Sequence, residues 1–233
     1  MKNLILFITL SLFTHLVFAE AWKLAKESDG IQVYTRNIPN SDIKEFKGIS
    51  KMQTSMDSLM AVWDDTNSCP KWFHQCKKPL LIKKLDFNNR YLYQISDFPF
   101  PASDRDILTH MIVSRNKATK AVTIEMKNVA HYCKGKTSLV CKKINASSEV
   151  RVVASDGKLQ FQPLKAGGIK VIWRQYIEPA GKLPDWLVNA VVVDMPFKTL
   201  TNLAKLAKTK KYQQAKLKFD DQGQMVGFFN KSW

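Results

Sequence analysis

The sequence lacks the short motifs that mark several large enzyme classes. It has no Gly-x-Ser-x-Gly segment, which carries the nucleophile of many serine hydrolases. The segment GKT at 135–137 resembles the end of a phosphate-binding loop, but Ala130 stands where that motif requires its first glycine. His110, within the strand-like run ILTHMIV, is expected to be a hydrogen-bonded strand histidine and not a general base. The sequence therefore gives little support for catalysis.

Cysteine is scarce, and its spacing argues against a metal site. The four cysteines are Cys69, Cys76, Cys133 and Cys141. His74 and His131 lie beside them, but the spacings are neither Cys-x-x-Cys nor His-x-x-x-His, so zinc is the weaker alternative. An even number of cysteines in an exported chain favours disulfides, for which three pairings are possible. The short separations favour local pairs within the segments CPKWFHQC and CKGKTSLVC.

No hydrophobic run reaches the roughly 20 residues that a membrane-spanning helix needs. The N-terminal apolar stretch, 4–17, follows Lys2 and precedes the small-residue exit Val17-Phe18-Ala19. This pattern predicts a secretory signal peptide over residues 1–19, cleaved after Ala19. An uncleaved membrane anchor is the alternative. We therefore expect an exported protein, located in the periplasm or outside the cell.

Acidic residues are few. The chain has 20 Asp and Glu against 36 Lys and Arg, which gives a formal net charge of +16. Nucleic acid is the usual partner of so basic a chain, but export argues against it. Anionic lipid headgroups at a membrane surface are the polyanion that an exported protein meets. The alternative is that the lysines only solvate the surface.

The order of apolar patterns predicts one α+β domain without internal repeats. The elements predicted up to residue 76 are a short helix at 21–30 that ends at Gly30, strands at 31–38 and 43–52 joined by a turn at 39–41, a helix capped by Thr54 or Ser55, and a loop at 69–76. Strand-like runs follow at 80–86, 90–96, 106–114, 121–129, 149–155, 158–164 and 169–177. Asp156-Gly157 and Gly167-Gly168 are predicted hairpin turns between the last three runs.

The chain is predicted to end with a long helix that covers the sheet. Pro184 lies near its first turn. Its apolar positions are Trp186, Ala190, Val193, Phe197, Leu200, Ala204 and Ala207. Pro196 and the preceding run of three valines predict a weak or bent middle. An antiparallel sheet under one covering helix is a natural place for an apolar ligand cavity.

Four segments of this sequence resemble the START (steroidogenic acute regulatory protein-related lipid transfer) domain family. They are DGIQVYTRNIPNSDIKEFKG, FPFPASDRD, GGIKVIWRQYIEPAGKLPDWLVN and DMPFKTLTNL. The resemblance implies a helix-grip fold, in which a curved antiparallel sheet wraps around the C-terminal helix and encloses a hydrophobic tunnel. It also implies a non-enzymatic carrier of one lipid, and a sterol, a phospholipid, a hopanoid and a fatty acid all stay open as its ligand. We expect a monomer without a cofactor. We assign residues 20–212 to this domain and residues 213–233 to a C-terminal extension.

Two other function classes stay open at this point. One is an enzyme of the wider helix-grip superfamily, such as an aromatase/cyclase or hydrolase, that acts on an apolar substrate in the same cavity. The other is a basic protein that only binds membranes. In the sterol carriers of the family, an acid and a base in the tunnel receive the sterol hydroxyl. Those positions fall here near Leu92 or Gln94 and at Met111, so no such charged pair is present.

The predicted cavity residues come from alternate strand positions and one helix stripe. From the strands they are Thr109, Met111, Ile124, Met126, Phe161, Val171 and Trp173, and from the helix they are Trp186, Ala190, Val193 and Phe197. Arg105 and Asp106 are predicted to be structural, with Arg105 paired to a carboxylate. The alternative for Arg105 is contact with a lipid headgroup.

The resemblance places the segment 131–143 beside the final helix, at the mouth of the tunnel. A disulfide between Cys133 and Cys141 would close it into a hairpin. The tip would carry Leu139 and Val140, with Lys134 and Lys136 among the surrounding lysines. Apolar residues ringed by lysines suit an anionic membrane interface. This segment is therefore the predicted gate and membrane-docking element.

Overall fold

The computed structural model describes residues 20–39, 41–181, 183–231 and 233. The predicted signal peptide lies outside these residues, as does Asn40 in the predicted turn at 39–41. Within the described part of the chain, no helix combines the length and the apolar character that crossing a bilayer requires.

The described residues form one ten-stranded, largely antiparallel sheet. The strand order along it is β1-β2-β3-β10-β9-β7-β6-β5-β4, and β8 adds to β6 in parallel. The strands are β1 (Lys23–Ser28), β2 (Ile31–Ile38), β3 (Ser41–Met52), β4 (Cys76–Lys84), β5 (Asn89–Ser96), β6 (Arg105–Arg115), β7 (Val122–Asn128), β8 (Val150–Arg151), β9 (Ala154–Pro163) and β10 (Ile169–Glu178). We call the face toward the C-terminal helix the inner face and the opposite one the outer face.

The helix predicted at 21–30 is wrong, because this segment forms the edge strand β1. Asp29 and Gly30 have φ values of 51° and 72°, and Ser28 pairs directly with Ile31. Asp-Gly with two positive φ angles is the two-residue turn that matches the twist of a hairpin. The prediction took Gly30 for a helix end, although it belongs to this turn.

The second Asp-Gly pair behaves in the opposite way. Asp156 and Gly157 lie within β9, so the hairpin turn predicted there is wrong, and the strand predicted at 149–155 shrinks to β8. A Cβ atom at Gly157 would lie 2.9 Å from the side chain of Gln175 and 3.0 Å from that of Met126. The glycine therefore provides space for neighbouring side chains. The turn predicted at Gly167-Gly168 is confirmed, with φ values of 88° and 79°.

Short helices cover part of the inner face. They are α1 (Met56–Asp64), a 3₁₀ turn at Thr66–Ser68, and α2 (Cys69–Trp72). Ser55 caps α1 by accepting a hydrogen bond from the Ser58 amide at 3.1 Å. Of the two caps that the sequence predicted, Thr54 and Ser55, the structure uses Ser55. The loop predicted at 69–76 is thus partly helical. A further short helix, α3 (Leu139–Asn145), precedes β8.

The C-terminal helix is interrupted where the sequence predicts weakness. It consists of α4 (Asp185–Asn189), a π-helical turn at Ala190–Asp194, and α5 (Met195–Leu206), with Pro196 in the first turn of α5. Its second half packs closely on the sheet, because a Cβ atom at Gly48 of β3 would lie 2.7 Å from Leu200 Cδ1. A larger residue at that position would have to displace the buried side chain of Leu200.

Residues after the helix form a small unit that packs on α1. It consists of α6 (Lys210–Gln213) and the hairpin β11 (Lys216–Phe219) with β12 (Met225–Asn230). Asp57 accepts a hydrogen bond from the Leu217 amide at 2.6 Å, and Asp65 accepts one from the Tyr212 hydroxyl at 2.8 Å. The assignment of residues 213–233 to a separate extension stays a prediction.

Candidate functional site

A cavity lies between the inner face of the sheet and the C-terminal helix. It has two compartments that share four lining residues: Phe73, Gln94, Met111 and Met126. Alternation along β5 and β6 aims Gln94 and Met111 inward, as the period of two requires. The two compartments are therefore adjacent, and these four side chains lie at the junction between them.

The first compartment is mainly apolar and rich in aromatic rings. Its walls include Trp63, Trp72, Phe73 and Trp173, and α5 closes it with Thr199, Leu200 and Leu203. The rings of Phe73 and Trp173 are 5.4 Å apart between centroids. Such a lining favours hydrocarbon over polar groups.

The second compartment contains more polar groups. They are His74, Gln75, Gln94, Ser96, Arg105, Thr109 and Gln175, and Val191 and Met195 lie on the helix side. Gln175 already has partners at both ends of its amide, because it accepts from Trp173 Nε1 at 3.1 Å and donates to Ser155 Oγ at 3.0 Å. Gln94 Oε1 lies 3.8 Å from Cys69 Sγ. That sulfur belongs to a disulfide and carries no hydrogen to donate, so the amide of Gln94 can bind a polar group in the cavity.

The cavity is narrow in this conformation. Each compartment has a volume of about 60 Å³, which holds a few water molecules and is far too small for a membrane lipid. A lipid can enter only if part of the wall moves.

Arg105 closes one end of the second compartment and is 5% exposed. Its guanidinium donates to the carbonyl oxygens of Pro179 and Ala180, both at 3.0 Å, and to that of Ser103 at 2.5 Å. The predicted pairing with a carboxylate is therefore wrong, because the guanidinium donates to backbone carbonyls instead. Burial lowers the pKa of Arg105. The side chain joins the start of β6 to the loop that leads into α4.

Asp106 lies on the outer face, where it forms the ion pair that was expected of Arg105. Its carboxylate is fully buried and pairs with Arg151 through two contacts, one of them 2.8 Å long. Arg151 also donates to the carbonyl oxygens of Ala130 and Ile144, at 3.1 and 3.3 Å. Both ends of the segment 130–144 are thereby fixed to β6.

The four cysteines form the two predicted local disulfides, Cys69–Cys76 and Cys133–Cys141, so their sulfurs do not serve as zinc ligands. The first disulfide closes the segment 69–76, which contributes wall residues to both compartments. The His74 amide donates to Thr199 Oγ1 at 3.0 Å and so ties this segment to α5. The disulfide thus constrains one wall of the cavity.

The comparisons with known proteins point in the same direction as this geometry. The sequence model of the START domain matches residues 14–211. The chain belongs to the START domain family. An uncharacterised protein of Pseudomonas aeruginosa is 29% identical over 192 residues, which cover 82% of this chain and 89% of that protein. Phosphatidylcholine transfer protein of Rattus norvegicus is 25% identical over 175 residues, which cover 72% and 75% respectively.

Solved structures confirm the helix-grip fold of this START domain. A STAR-related lipid transfer protein fragment from Xanthomonas axonopodis superposes with a TM-score of 0.70 at 29% identity, covering 82% of this chain and 100% of that fragment. Human StAR-related lipid transfer protein 5 superposes with a TM-score of 0.63 at 17% identity, covering 80% of this chain and 86% of its own. This second likeness concerns the fold alone.

The structure brings only part of the predicted strand residues to the cavity of this START domain. Thr109, Met111, Met126 and Trp173 line it. The other three, Ile124, Phe161 and Val171, are fully buried in the hydrophobic core. All seven lie on the inner face, so the alternation was read in the correct phase. The distance along each strand was not predictable, because it depends on where the helices rest.

The predicted helix stripe is rotated relative to the face that lines the cavity. Trp186 is 53% exposed and Val193 is half-buried. The centroid of the Phe197 ring lies 4.4 Å from Lys26 Nζ. The side chain of Ala190 is outside the described part. The helix residues at the cavity are Val191, Met195, Thr199, Leu200 and Leu203. Trp186 is already exposed in α4, before the π-helical turn begins, whereas Leu200, another predicted apolar position of the helix, does line the cavity. The apolar period alone therefore did not determine which side of the helix meets the cavity.

Sequence reasoning missed the wall built by residues 63–79. Trp63, Trp72, Phe73 and Pro79 line the first compartment. The segment has no period of 2 or 3.6 that would assign it to a face. One usable signal was present, since two adjacent aromatic residues lie between two cysteines that fix the segment.

The segment 131–143 does not lie at the cavity, contrary to the sequence expectation. It forms turns followed by α3 (Leu139–Asn145) rather than a hairpin. Its buried residues Cys133, Cys141 and Ile144 pack with Leu108 of β6, whose neighbour Thr109 lines the cavity. Because neighbouring strand residues point to opposite faces, the segment lies on the outer face. Its role in membrane docking stays a prediction, but a role as cavity gate loses its geometric basis.

His110 has the structural role that the sequence predicts. Its Nε2 atom lies 2.7 Å from Asn89 Oδ1, and its ring stacks on that of Tyr91 with 4.3 Å between centroids. Both contacts are on the outer face, away from the cavity.

Proposed function

We propose that this protein is a lipid carrier that holds one amphipathic lipid, with its hydrocarbon in the first compartment and its polar group in the second. The observation that carries this proposal is the difference in lining between two adjoining compartments, of which the first is rich in aromatic rings and the second has more polar groups. The carrier performs no chemistry on its ligand. Membership of a lipid-transfer family supports the same reading.

We further propose a phospholipid as the ligand class. Arg105 gives the second compartment a buried positive charge, and its five N–H donors exceed the three carbonyl contacts described above. A phosphate or ester oxygen can use the remaining donors, together with the amide of Gln94. The relatives that are phosphatidylcholine transfer proteins support this class.

Opening of the C-terminal helix at its π-helical turn is the proposed route of entry. The turn carries Val191 against the second compartment, whereas the far end of α5 is held by closely packed Leu200 and Leu203. β-branched valines and Pro196 weaken the helix at that point. The first half of the helix can therefore move while the second half stays in place.

Native mass spectrometry after extraction without detergent exchange tests the proposal. We expect one phospholipid per protein chain in the protein purified from its own exported fraction. A copurifying molecule that the protein converts into a new product over time would instead support the helix-grip enzyme. Protein that carries no lipid and takes up none from vesicles would contradict the carrier function.

A further inference from the structure

The outer face carries a compact basic surface, which we call the basic platform. It consists of Lys134, Lys136, Lys142 and Lys143 together with Leu139. No Asp or Glu occurs between Glu125 and Glu149, so the chain offers these lysines no acidic neighbours in sequence. None of the four lysines forms an ion pair with a described residue, and all four are exposed. Their charge is therefore directed to solvent or to a partner.

The short helix α3 separates its apolar and basic sides sharply. Cys141 and Ile144 point into the outer-face core, each 1% exposed. The outward side of α3 carries Leu139 together with Lys142 and Lys143, which follow Leu139 by three and four residues. Leu139 is 85% exposed, although leucine side chains are usually buried in folded proteins. This arrangement places one insertable side chain among cations.

The platform is held in place before any partner binds. The Cys133–Cys141 disulfide spans it, and Asn145 Nδ2 donates to the Cys133 carbonyl at 3.0 Å. Arg151 fixes both ends through the carbonyl oxygens of Ala130 and Ile144. Lys136 Nζ lies 3.2 Å from the centroid of the Tyr132 ring. Binding would therefore need little additional ordering of the backbone.

We propose that the basic platform binds an anionic lipid bilayer, with the lysines at the headgroups and Leu139 inserted between them. Charge complementarity and the exposed leucine favour this occupant, because lysines attract anionic headgroups and a leucine can enter the apolar layer below them. The platform and the cavity lie on opposite faces of the sheet. Contact between the basic platform and an anionic membrane therefore does not block the cavity. This attachment does not depend on the proposed carrier function.

Cosedimentation of the full mature protein with vesicles tests the proposal. The vesicles contain either phosphatidylcholine alone or phosphatidylcholine with 30 mol% phosphatidylglycerol, at low salt. The platform variant is Lys142→Glu with Lys143→Glu, and the matched control is Lys117→Glu with Lys208→Glu, which changes net charge equally at exposed sites elsewhere. We expect the platform variant to bind anionic vesicles at least tenfold more weakly, and the control to stay within about twofold of wild type.

A third variant, Leu139→Ser, separates insertion from charge. We expect it to keep salt-sensitive binding but to lose several-fold in affinity, and its exposed position leaves the fold intact. Equal losses in the platform variant and its control would overturn the proposal, since total charge would then explain binding. Absence of wild-type binding, or equal binding to both vesicle types, would also overturn it. Native mass spectrometry of the same variants reports lipid content, so a failure of the carrier function is detected separately.

Discussion

The side chains of Arg105 and Asp106 leave β6 on opposite faces of the sheet. Arg105 holds the backbone of Pro179 and Ala180 at the inner face, and Asp106 pairs with Arg151 at the outer face. Two adjacent residues thus connect the entrance of one strand to both layers that flank it. This explains why charges are clustered at the start of a strand that is otherwise apolar.

Substitutions at these two residues should loosen different parts of the protein. Arg105→Lys retains the charge but replaces the planar guanidinium, whose three nitrogens each contact a different carbonyl, by one compact ammonium. Backbone exchange should therefore increase around Pro179 and Ala180. Asp106→Asn breaks a buried ion pair, at a cost of about 3 kcal/mol, and exchange should increase in the segment 130–146. Hydrogen–deuterium exchange resolves the two regions. If both variants loosened the same region, the assignment of the two side chains to opposite faces would be wrong.

The position of the cavity can be tested with two neighbouring residues of β6. Met111 lines both compartments, and Ile112 points to the outer face. Met111→Trp should fill the junction and strongly reduce uptake of a fluorescent phospholipid. Ile112→Trp, with the same added volume on the opposite face, should leave uptake within about twofold of wild type. Circular dichroism confirms that both proteins fold. Loss of uptake in Ile112→Trp alone would place the ligand on the other face.

The two disulfides should differ in their effect on ligand retention. Replacing either pair by serine removes a short cross-link and should cost about 2–3 kcal/mol in urea unfolding. Only the Cys69–Cys76 pair constrains a cavity wall, so its loss should accelerate release of bound lipid. The variant lacking Cys133–Cys141 is the matched control and should release lipid at the wild-type rate. Identical release rates in the two variants would argue against a role of the 69–76 wall.

Stability in acid should depend on Asp64, which is buried at the end of α1. Burial alone would raise its pKa, but Lys231, Arg90 and Lys84 outweigh this effect, so the pKa of Asp64 lies well below its usual range. A group with a lowered folded-state pKa stabilises the protein above its unfolded pKa, about 4. This stabilisation is lost as the pH falls through the folded-state value.

The measurement for Asp64 is a difference between two proteins. Wild type should exceed Asp64→Asn in free energy of unfolding by several kcal/mol at pH 7, about 3 or more because a buried charge cluster is broken. The difference should shrink below about pH 4. Urea titrations between pH 7 and pH 2.5 measure it, and the subtraction cancels the titration of groups that both proteins share. A difference that stays constant down to pH 2.5 would contradict the assignment.

Local sequence signals determined much of the fold. Each of the correctly predicted local features depends on residues that are close together in the chain. They are the helix cap at Ser55, the turn at Gly167-Gly168, the alternation of β5 to β7 and the short-range pairing of the cysteines. The resemblance to the START family, carried by four sequence segments, gave the sheet-and-helix architecture. The weak middle of the last helix was also readable, since Pro196 and the valines act locally.

Tertiary structure decided the features for which the same local signal has more than one outcome. Asp29-Gly30 forms a turn, whereas Asp156-Gly157 continues a strand because Gln175 and Met126 occupy the space beside Gly157. The face of the last helix that meets the cavity depends on how the helix rests on the sheet, which its apolar period alone does not determine. The segment 131–143 lies on the outer face because Asp106, Arg151 and Leu108 fix it there. These outcomes result from packing between residues distant in sequence, which a pattern of neighbours does not encode.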